Sequence, residues 1–129
     1  MRNNLQDRVV LFAIEDGCLV RTVVGGDGPA SSSPANVRTY THRCTKEAFE
    51  TVAHAIAETP AQGEGTSLAQ VARREKLPFT QVNVAIEFLK GRGLIDVRHR
   101  RSYPATRDVY LDAMIEFYAL AEEPKPANP

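Results

Sequence analysis

Four consecutive basic side chains, Arg98-His99-Arg100-Arg101, with Arg107 six residues further on, are the strongest chemical signal in the sequence. A guanidinium forks two N–H donors onto a phosphate, and each such contact releases counterions condensed on a nucleic acid. The plain alternative is that these arginines only balance an acidic C-terminal stretch. Metal chemistry has a weaker claim. His42 and Cys44 alternate, so on a strand they share a face, and Cys18 or His54 could join them. Metal sites announce themselves by tighter ligand spacing, so ordinary half-buried residues explain these four. A thiol sensor at Cys18 or Cys44 has only Arg43 beside it to lower a pKa. Gly25-Gly26-Asp27-Gly28 lacks the Lys-Ser/Thr of a phosphate loop, no nucleophile elbow occurs, and the carboxylates are scattered along helix surfaces. No catalytic residue, metal ligand or cofactor is therefore expected, and the chain does not read as an enzyme.

The charge is zero overall but segregated. From Lys90 to Arg107 the bases Lys90, Arg92, Arg98, Arg100, Arg101 and Arg107 face one acid, Asp96; from Asp108 onward five acids face Lys125. Regional sign governs a polyanion contact more than the sum does. The 129 residues suffice for one domain, or one domain with an appendage, with its own core, and the apolar and charged fractions are those of a globular protein. No apolar run is long enough to cross a bilayer, and Met-Arg-Asn-Asn-Leu-Gln-Asp-Arg has no secretory pattern. The expectation is a cytoplasmic protein with free thiols and no membrane partner.

The elements that must position these residues follow from patterning. Val9–Ile14 and Cys18–Val24 flank Glu15-Asp16-Gly17 and read as a β-hairpin; Val37–Arg43 reads as a third strand. Together they form a small sheet, either packed on the helices or reaching to a partner. Residues 25–35, rich in Gly, Ser and Pro, read as a flexible loop. Thr45–Glu58 is a first helix that buries Phe49, Val52, Ala53 and Ile56. Ser67 and Gln70 form a capping box, and Leu68, Val71 and Ala72 share a face of the helix they open. Pro78 ends that helix; Thr80 can cap the next, in which Val82, Ala85, Ile86 and Leu89 recur at helical spacing, and Gly91 and Gly93 end it. Leu94–Arg98 and a return near Arg101–Tyr103 make a second hairpin. Asp108–Glu122 is a last helix with Leu111, Met114, Ile115 and Tyr118 as its main stripe, widened by Tyr110, Phe117 and Ala121. An arc that wide has a second partner, most simply its own copy across a two-fold axis.

The spacing of Leu68, Val71, Ala72, Leu77, Val82, Ile86, Leu89, Gly93, Leu94 and Ile95 resembles the winged helix-turn-helix family over roughly Lys46 to Leu111, about half the chain. The resemblance implies an α+β fold, mainly α, with a winged helix-turn-helix over 45–111. The N-terminal β segment spans 1–44, the C-terminal helix 108–122 and a disordered tail 123–129. It further implies double-stranded DNA as partner and transcriptional regulation as role, to which the wide apolar face of the C-terminal helix adds the expectation of a homodimer. In that family the second helix of the motif enters the major groove. With Val82, Ala85, Ile86 and Leu89 inward, Thr80, Asn83, Val84 and Glu87 point outward and Gln81 and Phe88 flank them. Gln81 and Asn83 could then pair with adenine, Val84 could touch a thymine methyl, and Glu87 could accept from cytosine while repelling phosphates. Arg98, His99, Arg100 and Arg101 become the wing, with Arg107 nearby. The competing reading is a protein-interaction module that docks a partner on Val84 and Phe88. If the N-terminal sheet covers those two residues, the groove-reading surface is lost.

Overall fold

The computed structural model describes residues 9–25 and 38–123. The expected loop at 25–35 and tail at 123–129 lie, apart from Gly25 and Glu123, outside these. Three strands come first: β1 (Val9–Glu15), β2 (Cys18–Gly25) and β3 (Arg38–Cys44), antiparallel in the order β1-β2-β3. The first turn is closed by Asp16 and Gly17 at φ 53° and 78°, between paired Glu15 and Cys18. Both positions of a two-residue hairpin turn need positive φ, which Asp-Gly supplies at low cost.

β3 runs directly into α1 (Lys46–Ala57), whose N-cap Thr45 accepts from the N–H of Ala48. Phe49, Val52, Ala53 and Ile56 are buried along it as expected. The two-residue strand β4 (Thr66–Ser67) leads into α2 (Leu68–Glu75), which opens with the reciprocal Ser67–Gln70 capping box and closes on Lys76 in the left-handed region. α3 (Phe79–Gly91) begins at Pro78, so Thr80 lies inside its first turn and does not cap it. Proline already holds the φ of −63° that a helix entry needs. β5 (Ile95–Arg98) and β6 (Arg101–Pro104) form the second hairpin, and β4 pairs with β6 on its other side, giving the order β4-β6-β5. α4 (Val109–Glu122) ends the described chain, its N-cap Asp108 accepting from the N–H of Leu111. Helix makes up roughly 46% and strand 30% of the described residues, an α+β composition with more sheet than "mainly α" implies.

The core is shared by every layer. Leu19 and Cys44 from the first sheet are buried with Phe49, Val52, Val82, Leu89, Ile95, Val109 and Phe117. α3 lies at its centre, packed on α1, α2 and β5 on one side and on the sheet on the other. A helix with apolar residues around most of its circumference must be covered around most of it. α4 departs from expectation. Its buried residues are Val109, Ala113, Phe117 and Leu120; of the expected main stripe Met114 packs half-buried against the core, whereas Leu111, Ile115 and Tyr118 are exposed. No helix among the described residues is long and apolar enough to cross a membrane.

Candidate nucleic-acid interface

The antiparallel register sets Phe12, Arg21 and His42 in one row across β1, β2 and β3, and cross-strand partners share a face. That row lies over α3. Phe12 meets Phe88 edge to face at 5.3 Å, and Arg21 donates to Glu87 Oε1 over 2.6 Å. Arg21 Nη2 stands 3.1 Å from His42 Nδ1; a guanidinium only donates, so Nδ1 is the acceptor. The Arg21 side chain is 7% exposed and Glu87 35%, so the ion pair is the means by which a charge is held under the sheet.

This layer corrects the expected groove-reading set. Val84 and Phe88 are 0% and 1% exposed, covered on the side away from Val82, Ala85, Ile86 and Leu89. Glu87 is committed to Arg21. Gln81 is half-buried, and its Oε1 accepts from the backbone N–H of Thr45 over 2.9 Å, tying the start of α3 to the cap of α1. Thr80 and Asn83 stay exposed and, with Arg21, His42, Leu68 and Phe79, line a cavity of about 230 Å³ at the N-terminal end of α3. Periodicity identified the face of α3 directed at the helices. The second face is apolar too, and the strands fill it.

The basic hairpin is the other half of the site. His99 and Arg100 occupy both turn positions at φ 53° and 65°, between paired Arg98 and Arg101. Arg98, His99 and Arg100 are exposed. The Arg98 guanidinium lies 4.0 Å from the Tyr103 ring centroid, so the aromatic face orients it. Arg101 turns inward, within 3.5 Å of the Glu64 carbonyl and 3.4 Å of Gln70 Oε1. Arg107 is exposed but stands next to the N-cap of α4, off the hairpin. The hairpin is fastened from below: the Tyr103 hydroxyl donates to the Glu64 carbonyl, and its ring lies against Gly65. A Cβ at Gly65, whose φ is 72°, would stand 2.7 Å from the ring. Exposed Arg73, Arg74 and Lys76 extend the positive charge along the end of α2.

Sequence reasoning missed Arg21, Gly65 and Tyr103 as site-building residues. A lone arginine in an apolar strand was the one available signal for a buried ion pair. No group of three His, Cys, Asp or Glu able to hold a metal occurs among the described residues. His42 is instead engaged by Arg21, and His54 pairs with Glu58. Burial, with the neighbouring Cys18, pushes the Cys44 thiol up to about 12, which leaves it protonated and unreactive at neutral pH. Comparison with known protein families, characterised proteins and solved structures finds no match.

Proposed function

We propose that this chain is a winged-helix protein that grips the backbone of double-stranded nucleic acid, with α2 and α3 as the helix-turn-helix pair and β5–β6 as the wing. The wing tip carries the reading. Two hairpins in this chain close with two-residue turns at positive φ: one uses Asp16-Gly17, the other His99-Arg100. A non-glycine residue in the left-handed region costs about 1–2 kcal/mol, so the second turn sacrifices stability to carry basic side chains where glycine would fit. Backbone strain of this kind is a reason to look for function at the residues that hold it. Exposed Arg73, Arg74 and Lys76 at the end of α2 add to exposed Arg98, His99 and Arg100 of the wing, against exposed Glu64 and Asp96.

The transcriptional-regulator reading, in which α3 selects bases along its length, has only Thr80 and Asn83 left to work with. The geometry therefore favours grip over base readout. The protein-interaction reading that relied on Val84 and Phe88 loses its surface to the chain's own strands.

The test is fluorescence anisotropy with a labelled duplex of mixed sequence at low and moderate salt. Binding should weaken steeply with salt, and Arg98→Ala with Arg100→Ala should reduce the slope of log Kd against log salt by about 2, one unit per lost phosphate contact. No binding at low salt, or a slope that the double variant leaves unchanged, overturns the proposal.

A further inference from the structure

Helix α4 has two apolar faces. Val109, Ala113, Phe117 and Leu120 are buried, while Leu111, Ile115 and Tyr118, on the opposite side, are 53%, 54% and 47% exposed. Their i, i+4, i+7 spacing sets them on one line, and a line of large apolar side chains in water marks a surface that meets something.

The charges at its ends indicate what. Exposed Arg107 precedes the helix, and exposed Glu122 and Glu123 close it. A parallel copy would set each of these against its own image. An antiparallel copy centred on Ile115 sets Arg107 across from Glu122 and Glu123, and Leu111 across from Tyr118 and Ala119. It also brings Asp112 toward Lys46, whose ammonium stands 4.8 Å from the Tyr118 ring centroid. Asp108 falls near Glu122 in this register, but its carboxylate is turned onto the Leu111 N–H. The two helix dipoles also oppose one another, which favours the antiparallel sense.

We propose that a second copy of this chain seats antiparallel on the Leu111–Ile115–Tyr118 line about a two-fold axis through Ile115, with Arg107 of each copy paired to Glu122 and Glu123 of the other. A helix of 14 residues is about 21 Å long, so its exposed seam buries less than the ~800 Å² per partner of a tight complex. The association is accordingly weak and concentration-dependent. It does not depend on the nucleic-acid reading.

Sedimentation equilibrium on the full chain without nucleic acid tests it. The mass should rise from 14.2 kDa toward twice that value with concentration. Ile115→Glu, at an exposed position that leaves the fold intact by circular dichroism, should stay monomeric throughout. Arg107→Glu should weaken self-association about tenfold, from two symmetry-related rim pairs. Combining it with Glu122→Arg and Glu123→Arg should restore the wild-type constant. A wild-type chain that stays at 14.2 kDa at every concentration overturns the proposal. So does a dimer that tolerates Ile115→Glu, or a charge-swapped variant as weak as Arg107→Glu alone.

Discussion

Arg21 shows how one side chain decides which surfaces the protein can use. A guanidinium in the middle strand of a covered sheet has lost its water, and its Nε has no partner among the described residues. The cost is recovered through Glu87, which thereby ceases to be a group that could approach a base. Neither residue announces this alone: Arg21 reads as an interruption of an apolar run and Glu87 as a solvent-facing acid on a helix. Only the sheet register, which lays Arg21 above α3, joins them. Removing one partner of a buried pair costs about 3–5 kcal/mol, whereas replacing both with apolar groups is often neutral. Glu87→Ala should therefore destabilise the fold by about 3 kcal/mol in urea, at the lower end because Glu87 is partly solvated. Arg21→Met combined with Glu87→Leu should recover most of that loss. A Glu87→Ala effect below about 1 kcal/mol would place the pair in the surface class, with Arg21 finding water once freed.

At the scale of elements, local chemistry is legible wherever the deciding contact is local. The Ser67–Gln70 box and the Asp16-Gly17 turn each satisfy backbone groups within a few residues, so residue types alone expose them. β4 was missed because two residues carry no periodicity and its partner β6 lies far along the chain. The expected arc of α4 is split: Tyr110, Met114 and Phe117 pack on the core, whereas Leu111, Ile115 and Tyr118 are exposed. Two apolar arcs are present, and periodicity cannot say which one meets the core. The seating of the basic hairpin was hidden for the same reason, since it depends on Tyr103 packing on a glycine in the left-handed region. Gly65→Ala should force the Tyr103 ring aside and lose its bond to the Glu64 carbonyl, at a cost of about 1–3 kcal/mol. Because Arg98 rests on that ring, the amide resonances of Arg98, His99 and Arg100 should move in an NMR spectrum while those of α1 stay in place. Unchanged hairpin resonances would show that the hairpin holds its position without Tyr103.

Across the whole molecule, one question governs function: whether the N-terminal strands are a lid over α3 or part of the same folded unit. Four phenylalanines answer in structural terms. Phe12 meets Phe88 at 5.3 Å, Phe88 meets Phe49 at 5.7 Å and Phe49 meets Phe117 at 5.2 Å, a chain of rings from β1 through α3 and α1 to α4. Aromatic pairs contribute about 0.5–1.5 kcal/mol each beyond the area they bury, so lifting the sheet would break the first pair and expose Val84 and Phe88 to water. β3 also enters α1 with only Thr45 between them, which leaves no hinge on that side. Segments that open independently do so at free energies below that of global unfolding. The central-strand amides of Val20 and Thr22 should therefore exchange with solvent at the same free energy, and with the same denaturant dependence, as those of Phe49 and Val52 in α1. A lower free energy for the strands, with a slope matching the sheet alone, would make them a removable cover. Val84, Phe88 and Glu87 would then be free to meet a major groove, and base reading along α3 would return as the better account of this protein.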